Sequence, residues 1–140
     1  MEQKSRNSLK KIIQASHERS ENYGVTKNRV YPGKILNNKE LQKRLLSNKA
    51  LIDIANPILL ELHEFLVESG FFIVLTDHEG CILKTLGDKK TIQEAQSLNM
   101  VNGAYMDEKS IGTNAMGTAL SENMPIQITS KEHFISAYHR

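Results

Sequence analysis

The sequence has little of what secreted, membrane and many catalytic proteins depend on. Only one of its 140 residues, Cys81, is a cysteine, so neither a disulfide within the chain nor a cysteine-based zinc site can form. No apolar run approaches the roughly 20 residues that a membrane-spanning helix needs, and the first six residues are polar where a signal peptide is apolar. We therefore expect a cytoplasmic protein in which Cys81, set in an apolar stretch, is buried and unreactive.

The motifs of several enzyme classes are missing as well. The sequence contains no GxxxxGKS or GxxxxGKT phosphate-binding loop and no serine or cysteine nucleophile motif. No two of its histidines are four residues apart, the spacing on a helix that would indicate zinc. We therefore predict no catalytic residue, no metal site and no cofactor.

What is present is an asymmetry of charge beneath a formal net charge of +2. The residues up to Lys49 hold 12 Lys and Arg against 4 Asp and Glu, whereas the residues from Ala50 onward hold 6 against 12. A basic segment can contact nucleic acid, dock on an acidic surface or face solvent. Its basic residues are scattered, without the aromatic or amide side chains of a recognition helix. This favours a solvated face, or docking on the chain's own acidic half, over contact with nucleic acid.

Apolar residues three and four positions apart predict helices in the first half of the chain. One helix is predicted over residues 1 to about 20, followed by turns. The strongest helical signal runs from residue 38 to Gly70, which supplies a stop. Asn48 is predicted to break this stretch and to cap a second helix. Pro57 lacks a backbone N–H, so we expect a kink or a break there.

A change of period after Gly70 predicts a β-hairpin. Residues 71–76 are aromatic and β-branched, and residues 81–86 are the matching return strand. Between them, Asp77 and Gly80 occupy the first and fourth positions of a tight turn, where these residue types are favoured.

The remainder predicts two more helices and a third strand. Asp88 is placed to cap one helix, and a second, short helix begins near Thr113 or Asn114. Residues 125–129 alternate apolar and polar side chains as a strand does. The pattern over the 140 residues is one α+β domain built on an antiparallel sheet. Because a sheet of three strands leaves its edges unpaired, we expect the chain to be cut from something longer.

The most unusual stretch begins at Gly112 and includes Thr113, Asn114, Gly117 and Thr118. Free backbone donors at a helix start favour a polar or anionic ligand, which the hydroxyl and amide side chains could bind. In the other interpretation, Thr113 or Asn114 caps the helix and the small residues allow close packing. Composition alone favours this second interpretation.

Two further polar groups are candidates for chemistry. Glu132 and His133 place a carboxylate beside an imidazole, a pair that can serve acid–base chemistry or bind a metal. The signal is weak, because adjacent residues of an extended chain point apart. His17 lies in a polar group, Ser16-His17-Glu18-Arg19-Ser20, that is suited to capping and surface hydrogen bonds.

Several of these stretches together resemble one protein family. They are Ser16-His17-Glu18-Arg19-Ser20, Leu75-Thr76-Asp77-His78-Glu79-Gly80, Leu86-Gly87-Asp88, Gly112-Thr113-Asn114-Ala115-Met116-Gly117-Thr118-Ala119-Leu120 and Glu132-His133-Phe134. In this order, over residues 16–140, they resemble the amino-terminal region of sigma-54-dependent enhancer-binding proteins of the acetoin-catabolism and dihydroxyacetone-kinase regulator type. The glycine-threonine-asparagine run is the specific part of the resemblance.

The resemblance implies a GAF-like domain with a helical leader. Residues 1–47 are then the basic leader and residues 48–140 the GAF-like sensory domain, incomplete before its last strands. A central ATPase and a DNA-binding helix-turn-helix belong to the family but not to this chain, so neither activity is assigned to it. Tyr105 stands where relatives often carry Trp, which keeps the wall of the expected cavity aromatic.

The resemblance also implies a function and two kinds of partner. A small effector would bind between the sheet and the helix that begins near Thr113, and a homodimer through the leader and the long helix would relay the signal to the ATPase. The residues expected at the effector are Thr113, Asn114, Thr118, Tyr105, Glu132 and His133. The alternative is a protein-interaction module that docks a regulatory partner such as a kinase subunit. An enzyme on the same scaffold, such as a methionine sulfoxide reductase, would need several redox cysteines.

Overall fold

The computed structural model describes the backbone of residues 2–140 and the side chains of residues 3–140. Over this range the chain forms six α-helices and one antiparallel sheet of two strands. In order, they are α1 (Glu2–Asn22), α2 (Asn38–Ser47), α3 (Lys49–Leu66), β1 (Phe72–Thr76), β2 (Ile82–Gly87), α4 (Lys89–Ser97), α5 (Glu108–Ile111) and α6 (Ala115–Glu122). The predicted α+β class is therefore confirmed. No helix in the described range is both long and apolar enough to cross a membrane.

The described chain divides into two compact units. The first unit consists of the described part of Met1–Gly33 together with Tyr105–Arg140, and the second unit is Lys34–Ala104. The predicted boundary between leader and GAF-like domain, at residues 47 and 48, falls inside the second unit, between α2 and α3. As a statement about domains it stays a prediction.

The predicted hairpin forms the centre of the second unit. Strands β1 and β2 pair antiparallel, with a register shift between Leu75 and Thr76. The turn is held by Asp77, whose Oδ1 accepts hydrogen bonds from the backbone N–H groups of Glu79 at 2.9 Å and Cys81 at 3.0 Å. An Asp at this position bonds its own turn, which is why the hairpin could be located from sequence.

Two predicted helix caps occupy the expected positions but do not cap. Asn48 separates α2 from α3 as predicted, yet its side-chain amide donates to the Arg44 carbonyl at 2.9 Å, so it serves the end of α2. Asp88 precedes α4, but its carboxylate accepts from the backbone N–H of Glu68 at 2.7 Å. In both cases the side chain forms a hydrogen bond with a backbone group earlier in the chain instead of capping the helix that follows. The predicted capping bonds are therefore wrong.

Of the kink or break predicted at Pro57, the break does not occur, since α3 runs through this residue, and the kink stays a prediction. A proline removes one helical hydrogen bond, and neighbouring contacts hold the helix here. The Lys84 ammonium donates to the Asn56 side-chain oxygen at 2.5 Å, and Leu59 is buried. Packing against the hairpin therefore maintains α3 where the local sequence predicts a break.

The first unit packs α1, α5, α6 and the last segment of the chain around an apolar core. Its largest fully buried apolar side chains are Met106, Ile111, Phe134 and Ile135. The four-residue helix α5 was not predicted, because it is too short to show a helical period.

The predicted strand at residues 125–129 is wrong. The segment forms no ladder with another strand in the described part of the chain. Its alternation is nevertheless real, since Ile128 is buried while Gln127 and Thr129 are exposed. Alternation sets the direction of side chains, but a strand also needs a neighbour for its backbone groups.

Candidate functional site

The glycine-threonine-asparagine turn is the start of α6, and Asn114 is its cap. The Asn114 Oδ1 accepts from the backbone N–H groups of Met116 and Gly117, both at 3.1 Å. Its Nδ2 donates to the carbonyls of Met106 at 2.7 Å and Gly112 at 2.9 Å. An asparagine side chain has two donor hydrogens and two acceptor lone pairs. All four are used within the protein.

The two glycines of this turn are required by close contacts. Gly112 has a φ of +76°, which favours glycine, and a Cβ there would lie 2.8 Å from the Cβ of Phe134. A Cβ on Gly117 would overlap the Met106 carbonyl oxygen and lie 2.9 Å from the Glu108 nitrogen. The glycines therefore let α6 approach the backbone before α5 closely, as the packing interpretation of the sequence predicts.

Polar side chains from three parts of the first unit meet beside this turn. We call them the polar cluster: Ser16, Arg19 and Ser20 of α1, Glu108 of α5, and Thr113 and Thr118 at α6. The Ser16 hydroxyl donates to Glu108 Oε1 at 2.5 Å and lies 2.7 Å from the Thr113 hydroxyl. It is also 3.1 Å from the Thr118 hydroxyl. Ser16 thus joins α1 to α5 and to the start of α6.

An ion pair completes the polar cluster. Arg19 donates through Nε to Glu108 Oε2 at 2.7 Å and through Nη2 to Oε1 at 2.9 Å. The same Nη2 lies 2.9 Å from a carboxylate oxygen of Glu122 on α6. The Glu108 side chain is only 1% exposed. Arg19 therefore neutralises a buried carboxylate and also reaches α6.

The pKa of Glu108 reflects opposing effects. Burial raises the pKa of this carboxyl, but hydrogen bonds from Arg19, Ser16 and Thr118 outweigh burial and hold the pKa below its ordinary value. The pKa of Arg19 is raised, chiefly by the hydrogen bond that Arg19 makes to Glu108. Both groups are therefore charged near neutral pH.

The predicted residues Glu132 and His133 lie on the last segment and do not act as a pair. The Glu132 carboxylate accepts from the Thr129 backbone N–H at 2.8 Å and its hydroxyl at 2.9 Å, capping the 3₁₀ turn Ser130–Glu132. His133 donates through Nδ1 to the Ser130 carbonyl at 2.9 Å. Burial lowers the pKa of His133 more than this bond raises it. The two side chains hold local turns.

The structure brings only part of the predicted site together. Thr113 and Thr118 lie in the polar cluster, and Asn114 is next to it as the cap of α6. Tyr105 is buried, at 6% exposure. Their assignment as effector-binding residues stays a prediction, with Glu132 and His133. What the structure adds is that the cap and both threonines already have partners within the protein.

Sequence reasoning found only two of the six residues of the polar cluster, Thr113 and Thr118. Ser16 and Ser20 were expected at the surface, and this expectation is wrong because both are fully buried. Their spacing was a usable signal, since Ser16, Arg19 and Ser20 share one face of a helix at steps of three and four. Glu108 carried no such signal, because its partners lie about 90 residues earlier in the chain.

The side chains of the polar cluster serve to hold helices together. Its hydroxyls, guanidinium and carboxylate bond to one another and fix α1 against α5 and α6. Among the residues that the structure describes, no group of three or more His, Cys, Asp or Glu side chains could hold a metal ion. In the second unit, Cys81 is fully buried and burial raises its pKa to about 11, which agrees with the predicted unreactive thiol.

Similar sequences are found among bacterial regulatory proteins, although no family model matches the chain. A signal-transduction and transcriptional-control protein of Clostridium beijerinckii is 42% identical over 127 residues, which cover 91% of this chain and 20% of that protein. The acetoin dehydrogenase operon transcriptional activator AcoR of Bacillus subtilis is 33% identical over 76% of this chain and 18% of its own length. The PTS-dependent dihydroxyacetone kinase operon regulatory protein of Escherichia coli is 27% identical over 61% of this chain and 14% of its own length.

One solved structure has a similar fold. It is the crystal structure of the E. coli DhaR(N)–DhaL complex, in which one chain matches 91% of this chain with a TM-score of 0.84 over 43% of its own length. At 22% identity, this likeness shows the fold alone. The chain spans about a fifth of the length of the first two sequence relatives.

Proposed function

The chain is homologous to part of bacterial transcriptional regulators of the acetoin-catabolism and dihydroxyacetone-kinase type, as its motifs predict, and on this basis we propose that it is the signal-sensing module of a transcriptional activator. The observation that carries the proposal is the 42% identity to a transcriptional-control protein over 91% of the chain. The module works in the cytoplasm as a GAF-type domain and catalyses no reaction. ATP hydrolysis, enhancer binding and contact with sigma-54 RNA polymerase belong to other parts of the activator.

The geometry of the α6 turn bears on the kind of signal. A small effector bound by Asn114, Thr113 or Thr118 would have to replace hydrogen bonds that these side chains already make. Exchanging one set of hydrogen bonds for another yields little net free energy, and leaving one buried group unpaired costs about 1–3 kcal/mol. Effector binding at this turn therefore needs a rearrangement of the turn.

A regulatory protein as the signal needs no such rearrangement, since it docks on the surface. The similar solved structure is a complex of DhaR(N) with DhaL, which supports the same mode for this chain. We therefore place protein docking first and keep the small effector as the second candidate, which rests on the resemblance of the Gly112–Leu120 stretch to the family.

Calorimetry and thermal-shift measurements together distinguish a protein partner from a small effector as the signal. We expect titration of the chain with the DhaL homologue of the same organism to give saturable heat at one partner per chain. Thermal shift with small diols, ketones and sugars should leave the melting temperature unchanged. A compound that raises the melting temperature, together with no heat from the protein partner, would reverse the order. Asn114→Ala and His133→Ala would then show whether the predicted residues bind that compound.

A homodimer is the second proposed association, and the structure favours α3 as its contact. Five apolar side chains at steps of three or four residues are exposed along α3: Leu51, Ile54, Ile58, Leu62 and Phe65. Ile54 is 72% exposed and Phe65 is 81% exposed. Apolar residues at this spacing pack against the same stripe of a second helix as knobs into holes, so the stripe can serve both copies of a two-fold dimer.

A further inference from the structure

The long helix α1 contacts the first unit through the polar cluster and through His17, whose ring packs edge-on against Phe134 at 5.4 Å between centroids and whose Nε2 donates to the Glu132 carbonyl at 2.7 Å. Two of its described side chains are fully buried, and both are serines, Ser16 and Ser20. Its apolar residues Leu9, Ile12 and Ile13 are only half-buried, and residues 3–8 are exposed. No apolar side chain in the described part of this 21-residue helix is therefore fully buried.

The other helices of the first unit are attached differently. The start of α6 is fixed by the four hydrogen bonds of Asn114 and by the close approach of Gly117 to the Met106 carbonyl. Ile111 at the end of α5 is fully buried in the apolar core. Separating α5 and α6 from the rest of the unit would expose apolar surface and tightly packed backbone. Contact with water does not make up for the loss of this burial and packing.

The contacts of α1 can be replaced by water at a much smaller cost. When α1 moves away, the hydroxyls of Ser16, Thr113 and Thr118 exchange protein partners for water partners. The charges of Arg19 and Glu108 lose their mutual attraction but regain hydration, and these two effects nearly cancel for buried pairs. An element held in this way opens locally before the whole unit unfolds.

We propose that α1 is a releasable arm, closed on the first unit through the polar cluster. In the closed state Ser16 and Arg19 cover Glu108, Thr113 and Thr118, and release of α1 uncovers these three side chains. A partner that binds either α1 or the uncovered groups shifts the balance between the closed and open states. The inference is independent of whether the chain senses a protein or a small molecule.

Hydrogen–deuterium exchange on the full 140-residue chain tests the arm. We expect the amides of α1 from Ile13 to Asn22 to exchange through a local opening, at least about tenfold faster than the amides of α6. Arg19→Met leaves Glu108 buried without its partner. It should accelerate exchange in α1 by a further factor of about ten, and α1 should still exchange faster than α6.

Two further variants keep the test decisive. Ser16→Ala removes the hydroxyl that joins the cluster with little change of volume, and should accelerate exchange in α1 by a smaller factor. Lys10→Met alters an exposed position of the same helix and should leave exchange unchanged. The proposal is overturned if α1 and α6 exchange at the same rate in the unaltered chain, or if neither Arg19→Met nor Ser16→Ala accelerates exchange in α1.

Discussion

Glu108 carries a charge in the interior of the first unit, and its neighbours explain why it can. Arg19 supplies two hydrogen bonds and the Ser16 hydroxyl a third. Removing one partner from a buried charge is costly because the remaining charge is left without compensation. The polar cluster therefore depends on Glu108 being ionised, which links the stability of the first unit to pH.

This link gives a prediction for Glu108→Gln. The pKa of Glu108 in the folded chain lies below its ordinary value. The ionised carboxylate therefore makes its full contribution to the free energy of unfolding above the pKa of glutamate in the unfolded chain, about 4.3. That contribution is lost as the pH falls through the lower folded pKa. At pH 7 the variant should lose about 1–3 kcal/mol of unfolding free energy, and the difference from the unaltered chain should shrink towards pH 3.

Urea denaturation at pH 7, 5 and 3 measures this difference. Glu94→Gln, at an exposed position of α4, is the matched control and should be within about 0.5 kcal/mol of the unaltered chain throughout. A loss for Glu108→Gln that is equally large at pH 3 and pH 7 would mean that ionisation of Glu108 does not stabilise the fold.

At the scale of elements, local signals located most of the helices and the hairpin. Asp77 bonds its own turn, so the residues that decide the hairpin lie within a few positions of each other. The strand predicted at residues 125–129 failed because pairing depends on a distant neighbour. The polar cluster was missed for the same reason, since Ser16 and Glu108 are 92 positions apart. Interactions that depend on chain folding over such a distance leave no short-range pattern.

The stripe on α3 gives a prediction at this scale. By sedimentation velocity, the chain should be a dimer that Ile58→Asp converts to a monomer, because a carboxylate would be placed at the centre of the apolar contact. Leu60→Asp is the control. Leu60 is 51% exposed but lies about 200° around the helix from Ile58, so this variant should remain a dimer.

The dependence of association on salt concentration distinguishes a second copy of this chain from another partner bound to the apolar stripe on α3. Glu61 borders the stripe, about 60° around α3 from Ile58. Two copies bring like charges together, so the dimer should strengthen with ionic strength, whereas docking of a basic partner would weaken. A chain that is monomeric at every salt concentration and at high protein concentration would rule out the dimer.

At the scale of the whole molecule, we propose that this chain is one part of a longer regulator. The sequence indicated this through the order of its motifs, and relatives of about five times its length include activators of operons. The kind of signal was not readable from sequence. The Gly112 stretch suits either a ligand or a cap, and only the bonds of Asn114 showed that the cap is made.

The most direct measurement is transcription from the target promoter by the full-length activator, with and without its regulatory partner. If the chain is the sensing module, deleting residues 1–140 should make transcription independent of the partner while promoter binding is retained. Transcription that still follows the partner after this deletion would contradict the account, because the signal would then enter elsewhere in the protein.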